Sequence, residues 1–165
     1  PPVVGAACTR NIHWMAKEEL FVPVLGTIYK WLGAFPVKRG TADRTAITHG
    51  INILKNKEVL AIFPEGTRCN PGTTKGYKSG FLFIAENLKL EVVPVAVNTG
   101  LFWAKNSFLR YKGTAVIEFL EPIKIAPNAD KKAVMEQIER VIEQKCSELN
   151  NEAVQKYPWV KKNLG

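Results

Sequence analysis

"VLAIFPEGTR", residues 59–68, carries five apolar side chains straight into a proline, a glutamate, a glycine, a threonine and an arginine. The run 59–63 has strand length and no polar alternation, so it predicts a strand buried on both faces, as in a parallel sheet. In an open α/β sheet, ligands bind beyond the carboxyl ends of the strands. The polar cluster 65–68 falls at such an end. Gly66 permits a tight turn and close backbone approach, Thr67 offers a hydroxyl, and Arg68 offers a fork of donors suited to phosphate. Glu65 can hold that arginine or accept from a substrate hydroxyl. The plain alternative is a strand-to-loop turn with a surface Glu–Arg pair.

On the N-terminal side, "ADRTAITHGINILKNK" (42–57) predicts an amphipathic helix with Ala46, Ile47, Ile51 and Leu54 inward, and "FPVKR" (35–39) a strand. "EELFVPVLGTIYKWLGA" (18–34) spaces Leu20, Val24, Leu25, Ile28, Trp31 and Leu32 as a helix does, with Pro23 in its first turn and Gly33 at its end. "NIHWMAK" (11–17) reads as a strand, and residues 3–9 as a short helix or the tail of one. On the C-terminal side come a polar loop (69–76), a helix over about 77–89, a strand at 91–98, a short helical "LFWAK", and in 114–125 one strand and a Pro-terminated continuation. Asp130 is placed to cap a helix over 131–150 with a stripe of Val134, Ile138, Val141, Ile142 and Leu149. This alternation predicts an α/β fold, one domain over 1–165, with a mostly parallel central sheet flanked by helices.

"GAFPVKRG" (33–40) repeats the pattern of an apolar strand ending in cations, here Lys38 and Arg39. Parallel strands of a βαβ unit end on the same side, so Lys38, Arg39 and Arg68 are expected to converge as an anion site. Cations at a helix N-terminus oppose its dipole, which weakens the reading of Lys38 and Arg39 as a solvated helix start. Charge agrees. The formal net charge is +8, and residues 1–113 hold 15 basic against 7 acidic side chains, while 114–165 hold 8 of each. Such a balance selects an anionic partner: phosphate, membrane surface or nucleic acid. The three cysteines, Cys8, Cys69 and Cys146, lack metal-type spacing and fit a reducing compartment. The longest uncharged apolar stretch, 20–29, falls short of the roughly 18 residues needed to span a bilayer.

"GAFPVKRG" (33–40), "FPEGTR" (63–68) and "VVPVAVN" (92–98), in this order, resemble three of the four sequence blocks of the glycerolipid acyltransferases, in particular the PlsC-type 1-acyl-sn-glycerol-3-phosphate acyltransferases. "MAKEELF" (15–21) adds to the match. The resemblance implies the glycerol-3-phosphate acyltransferase-like fold. It also implies transfer of a fatty acyl group from acyl-CoA or acyl carrier protein to the free hydroxyl of lysophosphatidate, giving phosphatidate at the cytoplasmic face of a membrane. No cofactor or metal is implied, only the acyl donor as co-substrate, and nucleic acid is not an expected partner. Arg39, Glu65, Gly66, Thr67 and Arg68 match positions that bind the acceptor's glycerol phosphate, and Lys38 adjoins them. Pro94 matches a proline associated with the acyl donor or its channel. Lys75 and Lys78 fall near the place of a basic pair in that family.

One block is missing. The family's first block pairs a His, the general base, with an Asp five positions later. His13 has Glu18 five places on, but it lies in a strand-like segment where that family has no catalytic histidine, and a sheet-edge or packed side chain is the better reading. His49 reads as a helix-face histidine. The chain begins "PPVVGAAC", and a proline commonly follows the family's catalytic Asp, so the His–Asp pair is expected upstream of Pro1, with any anchoring helices; residues 1–165 alone are expected to be inactive. Phe21, Val22, Trp31, Phe102 and Trp103 are candidates for an apolar patch that dips into a bilayer, with core packing as the alternative. Cys69 has no histidine near it in sequence and reads as a loop cysteine. A non-catalytic basic module for anionic lipid or nucleic acid stands as the second reading, though it lacks the aromatic interleaving of a single-strand platform. A serine or cysteine hydrolase comes last, since no G-x-S-x-G elbow occurs.

Overall fold

Two compact units, Pro1–Ile62 and Phe63–Gly165, divide the chain. The computed structural model describes residues 2–38, 43–66, 69–105 and 107–165.

In the first unit, α1 (Pro2–Ala7), β1 (Ile12–Lys17), α2 (Pro23–Trp31), β2 (Ala34–Val37), α3 (Arg44–Lys55) and β3 (Val59–Ala61) follow the expected alternation. The sheet is parallel with order β2-β1-β3. Its core is Phe35, Ala46 and Ile53, with Met15, Val37 and Leu60 packed around them. Several expectations shift by a residue or a strand. The helix expected from residue 18 starts at Pro23, because proline cannot donate to a preceding turn and pushes its neighbour Val22 into an extended conformation (ψ 158°). Residues 18–20 form a separate 3-10 turn. Gly33 ends the helix region with φ 80°, and a Cβ there would stand 2.6 Å from the Ile12 carbonyl oxygen.

The inward face of α3 is Ala46, Gly50 and Ile53 rather than Ala46, Ile47, Ile51 and Leu54. Gly50 explains the rotation. It lets the helix backbone approach the sheet so closely that an added Cβ would be 3.1 Å from Leu60 Cδ2, which leaves Ile47 exposed. Strand β3 covers only residues 59–61 and is half-buried throughout, not buried on both faces, because it lies at the end of the described sheet.

The second unit contains α4 (Gly80–Asn87), β4 (Glu91–Val92), β5 (Val95–Val97), α5 (Thr99–Phe102), β6 (Ile117–Phe119), β7 (Ile123–Lys124), α6 (Lys131–Lys156) and a 3-10 turn at Pro158–Asn163. Its strands pair antiparallel, β4 with β7 and β5 with β6. The strand expected at 91–98 is thus two, interrupted at Val93–Pro94, because proline cannot donate to a ladder. The strand and continuation expected in 114–125 are β6 and β7, with Pro122 between them. Asp130 caps α6 as expected, accepting from the Lys132 N–H at 2.9 Å, and the helix runs beyond residue 150 to Lys156. Its buried residues include Met135, Ile138, Leu149 and Ala153. Leu82, Met135 and Ile138 form one core cluster; Leu101, Phe102, Ala153 and Val160 form another. Between them, buried Asn98 donates to the Leu149 carbonyl (3.2 Å) and accepts from the Val116 N–H (2.7 Å), tying β6 and α6 to the end of β5.

Candidate functional site

The two strand ends singled out by sequence are built differently. Beyond β2, the Lys38 backbone N–H donates to Asp43 at 2.9 Å, while the other Asp43 oxygen accepts from the Ala46 N–H at 3.0 Å and caps α3. These backbone donors, Lys38 first, hold the Asp43 carboxyl below the usual carboxylate range. Lys38 and Asp43 line an open cavity of about 650 Å³ on this unit, together with His13, Glu18, Lys30 and His49. Arg39 lies outside the described residues. Strands β2 and β3 both run parallel to β1, so they end on one side of the sheet, but they are not adjacent: β1 lies between them. Val37 is level with Lys17 and Ala61 with Trp14, an offset of three residues, or about 10 Å along the strands.

His13 sits on the central strand, not at a sheet edge, and its Nε2 lies 3.1 Å from Glu58. Glu58, just before β3, is the ion-pair partner that sequence spacing missed. His49 packs edge-on to Phe35, ring centroids 4.6 Å apart, as a helix-face histidine does.

The second strand end, 63–66, lies in the other unit. Gly66 adopts φ 66° and its N–H donates to the Phe63 carbonyl at 2.9 Å, closing a turn. That N–H is therefore already used, and what Gly66 offers is an open face without a Cβ. Over that face comes Lys78: a Cβ on Gly66 would stand 3.3 Å from its Nζ. The Lys78 N–H also donates to the Pro64 carbonyl at 3.0 Å, so the loop after residue 69 is stitched back to the turn. Thr67 and Arg68 lie outside the described residues.

Glu65 is half-buried. Burial pushes its carboxyl up, and the charges of Glu143 and then Glu139 on α6 add to the rise. The Tyr77 hydroxyl donates to Glu143 at 2.9 Å, and Thr74 donates to Glu139 at 3.4 Å. Burial first, then the bond to Glu143, raises the Tyr77 phenol far above its ordinary value, so it stays a donor. Cys146 on the same helix is also pushed up by burial, which makes it a poor nucleophile. Lys78 received little weight from sequence, and Tyr77, Glu139 and Glu143 none. The only signal for Lys78 was its proximity to a family-like basic pair, and a contact 66 positions long, from Tyr77 to Glu143, leaves no periodic trace.

Pro94 is fully buried between β4 and β5, and its carbonyl accepts from the Leu120 N–H at 2.9 Å. That placement suits shaping of the backbone rather than direct contact with a ligand. Of the five residues expected in an apolar patch, Phe102 belongs to the core and Phe21 is half-buried. Val22, Trp31 and Trp103 are exposed. The larger apolar surface is α2 itself, where Gly26 alone is buried and Trp31 is 85% exposed. No helix among the described residues is long and apolar enough to cross a membrane, and no group of acidic, histidine or cysteine side chains among them could hold a metal ion.

The first unit is a parallel βαβ sheet, and the second carries a glycine turn under a lysine beside a half-buried glutamate, which together define an α/β protein. The sequence profile of the acyltransferase family matches residues 1–98, and the chain belongs to that family. It is 33% identical over 147 residues to the 1-acyl-sn-glycerol-3-phosphate acyltransferase of Bacillus subtilis, covering 86% of this chain and 70% of that protein. It is 32% identical over 103 residues to the enzyme of the same name from Pseudomonas aeruginosa, covering 61% and 40%. The crystal structure of the 1-acyl-sn-glycerophosphate (LPA) acyltransferase PlsC from Thermotoga maritima superposes with a TM-score of 0.70 at 26% identity, covering 84% of this chain and 57% of that one. The chain thus spans between two fifths and seven tenths of these relatives.

Proposed function

We propose that the protein acylates lysophosphatidate: the acceptor's free hydroxyl oxygen attacks the carbonyl carbon of an acyl thioester, the carbon–sulfur bond breaks, and phosphatidate and the donor thiol are released. The observation that carries this reading is the 63–66 turn, where an open glycine face lies under the Lys78 ammonium in a chain of the acyltransferase family. A phosphate monoester needs a compact set of cations at a close-approach surface. Lys78 supplies one, beside Glu65 and Gly66, and the family resemblance assigns Thr67 and Arg68, and separately Lys38 and Arg39, to the acceptor's phosphate. The donor is acyl-CoA or acyl carrier protein, with no further cofactor. The proton lost by the hydroxyl goes to a base outside this set. His13 is not assigned as that base: it lies within central strand β1, with its Nε2 3.1 Å from Glu58.

Acyl transfer by the full-length protein is the test: release of donor thiol should depend on lysophosphatidate and yield phosphatidate. Binding of anionic vesicles or nucleic acid without any thiol release would favour the non-catalytic module instead.

We also assign the exposed face of α2, with Val24, Leu25, Ile28 and Trp31, to the membrane surface on which a lysolipid substrate resides, where Lys30 can meet anionic headgroups. In co-sedimentation with anionic vesicles, replacing Ile28 and Trp31 by serine should weaken binding by about a hundredfold or more, the scale expected when two large apolar side chains are no longer buried. Unchanged binding by that double variant removes α2 from the interface.

A further inference from the structure

The 63–66 turn is held by more than its own sequence. Tyr77 packs on the Leu82–Met135–Ile138 core and places its hydroxyl 2.9 Å from Glu143 of α6. The next residue, Lys78, donates its N–H to the Pro64 carbonyl and sets its ammonium over Gly66. Thr74, three residues before Tyr77, is tied to Glu139, one helical turn before Glu143. The loop that delivers the cation is therefore braced against α6 through two carboxylates. An apolar contact would have been the cheaper way to dock this loop, since carboxylates set beside half-buried Glu65 oppose its ionisation. What an oxygen acceptor at this place adds is a directed hydrogen bond that fixes where the tip of the ring points.

We propose that Glu143 is a positioning residue for acceptor binding: by holding the Tyr77 hydroxyl it fixes Lys78 above Gly66, where the acceptor's phosphate sits. This rests on the phosphate-site reading above. It places part of the site's precision on a C-terminal helix that lies outside the matched family profile, which ends at residue 98. A ligand cation misplaced by about an ångström loses much of its effect, so the brace acts on affinity for the phosphate.

The experiment is calorimetric binding of glycerol 3-phosphate to the full-length protein, with thermal unfolding measured in parallel. Tyr77→Phe and Glu143→Ala should each weaken binding about tenfold, and the double variant should be no worse than either, because both break one linkage. Glu143→Gln keeps a carbonyl acceptor for the hydroxyl and should stay within about twofold of the unsubstituted protein. Tyr77→Phe keeps the ring in the core, so a loss of binding without a comparable loss of Tm separates positioning from folding. Additive losses, a Gln variant as weak as the Ala one, or unchanged binding in Tyr77→Phe would overturn the assignment, as would no binding of glycerol 3-phosphate by the unsubstituted protein. Binding with the expected pattern but no lysophosphatidate-dependent thiol release would instead refute the proposed reaction while leaving the role of Glu143 standing.

Discussion

Asp43 and Glu65 each come shortly after a short apolar strand, β2 and β3, but the two carboxylates are used in opposite ways. Asp43 is half-buried, accepts two backbone N–H groups and is held ionised, so it ties the Lys38 backbone to the start of α3 and caps that helix. Glu65 is half-buried, faces Glu143 and Glu139, and is pushed towards its neutral form. The first arrangement stabilises the fold. The second costs stability and persists at the turn that resembles a ligand site, which is where proteins commonly carry such a cost. A chain motif that looks the same in sequence can therefore be scaffold at one strand end and site at the other.

Neutralising each carboxylate sharpens the contrast. For Glu65, the raised folded value means that the folded state binds more protons than the unfolded chain between the two pKa values, so stability falls as pH rises through that window. Glu65→Gln removes the charge and should raise Tm at pH 7 by about 2 °C, a gain that shrinks as pH falls below about 5, while acyl transfer is lost. A lower Tm at pH 7 would mean that Glu65 is held by a favourable partner and would erase the contrast. Asp43 has the reverse sign: its contribution is present above the unfolded value of about 3.9 and is lost as pH falls through the lowered folded value. Asp43→Asn keeps an oxygen to cap α3 but not the second acceptor, so it should give a smaller change, a slight loss of Tm at pH 7 that shrinks in acid titration below about pH 4. A loss that persists there would show that shape, not charge, sets the clamp.

Local chemistry made much of this legible. Pro23, Gly33 and Asp130 mark boundaries through constraints carried by single residues, and the structure places each at the end of a helical segment. The alternation of apolar strands and amphipathic helices gave the parallel sheet of the first unit. The misreadings share a cause. Ile47 and Ile51 fit a periodic stripe, but Gly50 decided which face of α3 could approach the sheet, and a pattern that counts large apolar residues ignores a glycine. Residues 91–98 read as one strand by their apolar run, which does not register that Pro94 lacks a donor for the ladder. At the site, Gly66 and Glu65 were found because they are contiguous. Lys78, Tyr77 and Glu143 come together only through the loop and α6, and no spacing rule spans that distance.

The central claim is that the cation over Gly66 reads the acceptor's phosphate. The direct measurement compares kcat/KM for lysophosphatidate with that for the monoacylglycerol lacking the phosphate, in the full-length protein and in Lys78→Ala. The unsubstituted protein should prefer lysophosphatidate strongly, and Lys78→Ala should reduce that preference about a hundredfold by losing rate on lysophosphatidate alone, the scale of a charge-assisted contact to an anion. An undiminished preference in Lys78→Ala, or an equal loss on both acceptors, would contradict it.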